Sequence, residues 1–267
     1  MKYFISTLLS SVDHQDNHFD EVAKYISDWQ DPSIGAEMVA FTHDADYWQR
    51  LQAVLPSLTC PLTCHGPWIG TEVTADPESQ DGKWLIQAYQ QVFELAQRYH
   101  FRHVVVHYSQ LHFADENSRQ TAQQHAYQNL EKLLTMAQQL GVNMVIENLC
   151  QSPTGLHLFT NEEYEDLFQR FPQANAIIDI GHANVNGLDV EQFLARHGQR
   201  VTSFHLHNND GKHDNHCDIH DGTYDVAQFM KWAKKYTPEA NMVLEYEPHV
   251  KKSLDELREE IEELKSM

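Results

Sequence analysis

Residues 143–182, NMVIENLCQSPTGLHLFTNEEYEDLFQRFPQANAIIDIGH, contain one complete strand–helix–strand unit. Asn143 to Glu147 and Ala176 to Asp179 are short apolar runs. Between them Thr160 with Glu163 fits a capping box, in which a hydroxyl and a carboxylate satisfy free helix amides reciprocally. The same alternation recurs along the chain, with further strands expected at Tyr3 to Leu8, Gly35 to Phe41, Leu62 to His65, His103 to His107, Val201 to His207 and Met242 to Glu245. Amphipathic segments separate them. Phe19, Val22, Ile26 and Trp29 share one helical face, as do Leu130, Leu133, Leu134, Ala137 and Leu140. Ser253 with Glu256 repeats the capping signature, and the charged run from Leu254 to Lys265 reads as the solvated face of a last helix. Eight strands that each feed a helix predict a single (β/α)8 TIM barrel over residues 1–267, with its site at the C-terminal rim of the strands. An open doubly wound sheet is disfavoured because the first strand runs into Ser6, Thr7 and Ser10 without a glycine-rich turn. No Pro/Gly/Ser-rich linker divides the chain.

Composition narrows the function. The 267 residues carry 19 Lys+Arg against 39 Asp+Glu, a formal charge of −20, which removes the simplest route to nucleic acid, counterion release by cationic side chains. Histidine, the commonest metal ligand, occurs 18 times. Apolar residues make up 41%, enough for a core, yet no stretch approaches the roughly 20 apolar residues of a membrane span. The start, MKYFISTLLSSVDHQD, lacks a clear cleavage site, so a cytoplasmic protein is expected. Cys60, Cys64, Cys150 and Cys217 are too few and scattered for a disulfide framework and are read as reduced packing residues.

Chemistry concentrates at the strand ends. His65, His107, Glu147, Asp179, His205 with His207, and Glu245 close six consecutive strands, and in a barrel those ends converge on one rim. Charged residues are seldom buried unless paired or bound to a metal, so a ligand shell is the economical reading. Asp179 and His182 stand three apart at a strand-to-helix turn. Asp214 and His216 alternate in the loop NNDGKHDNH and can face the same way. Mixed nitrogen and oxygen donors without cysteine suit zinc, manganese or iron.

The motifs IENL at 146–149, DIGHANVNG at 179–187, HLHNNDGKHDNHCDIHDG at 205–222 and LEYEP at 244–248 resemble the xylose isomerase-like TIM barrels, over essentially the whole chain. That family includes sugar isomerases and epimerases and apurinic-site endonucleases of the endonuclease IV type. The resemblance implies one to three divalent ions, zinc, manganese or magnesium. In the nuclease branch three ions would take His65, His107 and a bridging Glu147; Glu147, Asp179, His205 and Glu245; and His182, Asp214 and His216. In the isomerase branch one ion would sit on Glu147, Asp179, His205 and Glu245. The two glutamates would then act as acid and base at a ketose carbon, with His182 free for substrate. An arginine frequent after strand seven of that branch is absent, and Lys212 is the only cation in this loop.

The two branches differ in what they must bind. A duplex-binding barrel needs cationic rim loops to fix phosphates, and here the loops after strands one, two, five and six have none. Lys83 and Arg119 lie at the far ends of two others, with Lys212 after the seventh and Lys251 and Lys252 after the eighth. The carboxamides of NNDGKHDNH also suit sugar hydroxyls. Trp68, His157, His182, His207 and Lys212 are therefore the expected substrate contacts. The sequence ranks a metal-dependent sugar or sugar-phosphate isomerase/epimerase first, with a multi-zinc phosphodiesterase second. The expected partner is a small sugar or sugar phosphate, not nucleic acid or membrane, and a homo-oligomer is compatible with this reading.

Overall fold

A computed structural model describes residues 1–12, 15, 16, 18–109, 111–151 and 155–267. Residues 152–154 of the SPTGLHLF loop and 13, 14 of the N-terminal run lie outside the described residues. Eight parallel strands close into a barrel: β1 (Tyr3–Ser6), β2 (Ile34–Val39), β3 (Leu62–His65), β4 (Val104–Val106), β5 (Met144–Glu147), β6 (Asn175–Asp179), β7 (Val201–Leu206) and β8 (Asn241–Leu244). Each pairs with its sequence neighbours, and β1 pairs with both β2 and β8, so the barrel leaves no open edge.

Helices α1 (Phe19–Asp28), α2 (Ala45–Val54), α3 (Gln80–Tyr99), α4 (Glu116–Leu140), α5 (Asn161–Arg170), α6 (Ile180–Asn186), α7 (Val190–His197), α8 (Val226–Tyr236) and α9 (Leu254–Ser266) follow the strands. Most begin on a short polar side chain that accepts from a first-turn amide: Asp44, Ser79, Asp115, Thr160, Asp179, Asp189, Asp225 and Ser253. Both expected capping boxes are formed. The charged last helix is less solvated than its composition suggests. Leu257, Glu260, Ile261 and Leu264 are buried, and Glu260 is held by Lys252 at 2.7 Å.

Five strands, expected to reach Leu8, Phe41, His107, His207 and Glu245, end one or two residues earlier. β1 stops at Ser6, whose hydroxyl accepts from the Leu8 amide and starts a 3₁₀ turn over Thr7–Ser10. β8 stops at Leu244, which leaves Glu245 just beyond the ladder.

Strand pleating places the site. Val105, Val145 and Ile177 form a small apolar cluster of their own, separate from the main core. Successive side chains on a strand point to opposite faces, so His107, Glu147 and Asp179, each two residues further on, rise from the same inner face one layer higher. Thr63 and His65, Ser203 and His205, and Val243 and Glu245 repeat this step. Register does the rest: Asp179 lies beside His205. A floor in which Val105, Val145, Ile177 and Val243 alternate with Thr63 and Ser203, with a layer of histidines and carboxylates above it, is the direct outcome of a period of two in six adjacent strands.

Candidate metal centre

Ten residues meet above that floor in three adjoining groups, two of which share a residue. His65, His107 and Glu147 form one, Glu147, Asp179, His205 and Glu245 the second, and His182, His207, Asp214 and His216 the third. Within each group one donor atom per residue lies within 4.8 Å of the others. Glu147 belongs to two groups. Its Oε1 is 2.9 Å from His205 Nδ1, and its Oε2 is 2.9 Å from His107 Nε2 and 3.6 Å from His65 Nε2.

The histidines are arranged as ligands are. His65 Nδ1 meets the Gly66 carbonyl at 3.0 Å, His182 Nδ1 the Asn148 carbonyl at 2.8 Å, and His216 Nδ1 the Glu245 carbonyl at 3.0 Å. His205 Nε2 meets Glu37 Oε1 at 3.1 Å. In each ring the outer nitrogen has an acceptor, which leaves the lone pair of the other nitrogen for the centre, the usual outer-shell arrangement of metal-binding histidine. His65 Nε2 and His107 Nε2 face each other at 3.0 Å. Glu147 Oε2, Asp179 Oδ2 and Asp214 Oδ1 are buried without a hydrogen-bond partner among the described residues. Converging nitrogen lone pairs and orphaned carboxylate oxygens match divalent ions that accept nitrogen and oxygen donors.

Electrostatics sort the carboxylates. Burial alone would raise Glu147, but His205 and His107 hold it well below the usual carboxylate range. Burial likewise opposes Asp214, and His182 with His216 keeps it ionised. Glu245 moves the other way: its desolvation outweighs His205 and His216, and its pKa rises. Burial lowers His107 to about 4 despite Glu147. His216 is carried up to about 10, because Asp214 overcomes its burial. Its backbone φ of +42° lies in the left-handed region, a strain of about 1–3 kcal/mol of the kind found at functional sites.

The loop after β7 corrects one expectation. The carboxamides of Asn208 and Asn209 are buried and build the loop itself. Asn208 Nδ2 donates to the carbonyls of Ile219 and Tyr224, and Asn209 Nδ2 donates to that of Gly181. They are not presented to sugar hydroxyls, because an ordered loop needs them for its own backbone groups. From this loop Asp214 and His216 reach the centre.

The expected substrate contacts divide. Trp68 lines the central cavity of about 150 Å³, together with Leu8, His182, Asp214, Glu245 and Glu247. Its ring lies edge-on to His65 at 4.5 Å. His207 has no accessible surface, so no face of it is open to a substrate. His157 and Lys212 are not among the residues lining the cavity. His157 pairs with His112 in a two-residue ladder, and its carbonyl accepts from Arg119 Nε at 2.7 Å. Lys212 is exposed, and its amide donates to Asp210. Of the rim cations, Arg119 is tied to Glu116 and Glu163, and Lys252 to Asp218 and Glu260.

Glu37 is the residue that strand-end reasoning missed. It sits mid-strand in β2, fully buried, and accepts from Thr63 Oγ1 at 3.1 Å while facing His103 Nε2 at 3.3 Å and His205 Nε2 at 3.1 Å. Although burial would raise it, these two histidines hold its pKa far down. A lone carboxylate inside the apolar run IGAEMVAF was the available signal, since such a charge is buried only with partners. Glu37→Gln should lower unfolding free energy by about 3–5 kcal/mol, as loss of one partner of a buried pair does. It should also weaken metal affinity by roughly 10- to 100-fold, because His205 loses its anchor. Urea unfolding and metal titration check the two effects, and unchanged affinity would remove Glu37 from the support of the centre.

Comparisons with known proteins agree with this architecture. A family model described as "Xylose isomerase-like TIM barrel" matches residues 23–267. An uncharacterized protein of Methanocaldococcus jannaschii is 28% identical over 139 residues, 52% of this chain and 51% of that relative; the chain thus spans about half the length of the curated relative it matches. Among solved structures, a D-tagatose 3-epimerase-like protein superposes with a TM-score of 0.78 at 18% identity, covering 100% of this chain and 99% of that one. The 3-keto-D-glucoside 4-epimerase YcjR of E. coli gives 0.75 at 14% identity, with 100% of both chains covered. A Thermus thermophilus protein soaked with zinc chloride gives 0.69 at 17% identity, over 99% of this chain and 98% of that one. At these identities the structures speak to the fold. No helix among the described residues is long and apolar enough to cross a membrane. With a closed eight-stranded barrel and a family match over most of its length, this chain belongs to the xylose isomerase-like TIM barrel family.

Proposed function

We propose that this chain is a multi-ion, divalent-metal-dependent hydrolase of small phosphate esters, which reverses the order in which the sequence alone ranks the two readings. The observation that carries it is the sharing of Glu147 between two of three adjoining donor groups. His65 and His107 beside the shared Glu147 offer donors for an ion additional to one on Glu147, Asp179, His205 and Glu245. Bound there, divalent ions would supply an activated water and neutralise charge developing on phosphoryl oxygens.

The chain's own residues hold and shape the centre. Glu147, pinned by histidines on both sides, is a bridge and not a mobile base. Glu245, in the cavity wall, completes the donor group of Glu147, Asp179 and His205. Trp68 and Leu8 supply the apolar wall that limits water. A cavity of about 150 Å³, with Arg119 and Lys252 already held in ion pairs, favours a small ester over a duplex.

One observation favours the isomerase/epimerase reading as the second. Glu147 Oε1 and Glu245 Oε2 approach the same His205 Nδ1 at 2.9 and 3.2 Å, with pKa values displaced in opposite directions. Such a pair can serve as base and acid. A parallel assay separates the two: bis(p-nitrophenyl) phosphate and sugar phosphodiesters on one side, a ketose panel on the other, with metal analysis of protein purified without chelator. Ester cleavage with more than one ion per chain is expected. Ketose epimerisation with a single ion would replace the first reading with the second.

A further inference from the structure

His207 is not needed by either reading as stated, yet it is the most confined histidine of the centre. It stands two residues beyond His205, so the pleat of β7 aims it to the same side. Its ring has no accessible surface, its Nδ1 has no hydrogen-bond partner among the described residues, and its Nε2 faces carboxylate oxygens. Burying a ring nitrogen without a partner is costly. Packing fixes it in place: its ring stacks on His216 at 3.8 Å between centroids, and it fills a slot that exists because residue 181 is glycine. A Cβ on Gly181 would lie 2.0 Å from His207 Cε1. Held this way, Nε2 lies 3.0 Å from Asp179 Oδ2 and 3.7 Å from Asp214 Oδ1. One ring nitrogen and two carboxylate oxygens thus converge beside His182 and His216.

We infer that His207 is a fourth protein donor to the ion on His182, Asp214 and His216, so that this chain closes that position with side chains alone. The inference rests on the multi-ion reading above. Its consequence is a division of labour. Four protein donors are the mark of a closed site, while an ion that works on water keeps a position open. The ion on His182, His207, Asp214 and His216 is then an electrostatic and structural one. The open position belongs to the group with three protein donors, His65, His107 and Glu147, which borders the cavity.

Cobalt(II) titration of metal-free protein tests this, because four-coordinate cobalt absorbs far more strongly in the visible than five- or six-coordinate cobalt. The wild-type chain should develop an intense band as its four-donor positions fill. His207→Asn should weaken that band and lower the affinity of one ion by at least about 10-fold, the smaller end of what loss of an outer-shell partner costs, while the other ions still bind. In the unaltered chain loaded with ¹¹³Cd, scalar coupling between cadmium and a His207 ring ¹⁵N is expected, a readout that does not depend on the variant folding. A band and affinity unchanged in His207→Asn, or no coupling to His207, would overturn the inference and leave the multi-ion reading standing. A wild-type chain that takes up no cobalt would end both.

Discussion

Glu147→Gln is expected to be the most damaging single substitution in this protein. It should remove more than one ion per chain and reduce turnover to background. Glutamine keeps the shape of the side chain but lacks the charge, and one of its two positions becomes an amide nitrogen that repels cations. Both oxygens of Glu147 are in use, one toward His205 and the other toward His107 and His65. Because the residue is shared by two donor groups, its loss should exceed the roughly 10- to 100-fold fall in affinity that removal of an outer-shell partner produces. Metal analysis after dialysis reads the ion number directly. Retention of every ion by Glu147→Gln would remove Glu147 as the bridge, whatever happened to activity.

Chelation should have the second large effect, on stability. Ions that bind the folded chain and not the unfolded one stabilise it by mass action, about 4 kcal/mol for each ion at a free concentration near 1,000 times its Kd. For a chain of this size each kcal/mol corresponds to roughly 2–4 °C in Tm. Stripping one such ion should therefore lower Tm by about 8–16 °C, and restoring zinc or manganese should recover it. The physical reason is the crowding of Glu147, Asp179, Asp214 and Glu245, four carboxylates at one centre whose mutual repulsion bound cations would relieve. Calorimetry with and without chelator measures the difference, and identical melting curves would argue that the cluster folds around no ion.

These effects link through His205. Glu37 and Glu147 grip opposite nitrogens of that ring, so the floor of the barrel and the centre share one rigid chain of contacts. Strand pleating makes this economical. Glu37, Thr63 and His103 lie a layer below the donors and orient them, while Val105, Val145 and Ile177 keep water out from beneath.

The barrel and most of its donors are legible in the linear pattern of residues. Apolar runs of strand length alternate with helical faces, and period-two alternation puts a polar residue at the end of each inner face, so His65, His107, Glu147, Asp179, His205 and Glu245 could be found by position alone. Capping boxes at Thr160 and Ser253 needed nothing beyond local chemistry. The packed molecule was needed for side chains whose partners are far away along the chain. Asn208 and Asn209 look like ligand-binding amides in sequence and prove to be loop-building ones, because their partners at Ile219, Tyr224 and Gly181 are set by how the β7 loop closes. Glu37 joins the site across 168 residues, through a ring closure no local pattern encodes. His207, expected as a substrate contact, has its ring buried against His216 because Gly181, on the neighbouring strand-to-helix turn, leaves room for it. Periodicity fixes the face on which a residue stands, and only the packed barrel fixes which distant atoms meet it there.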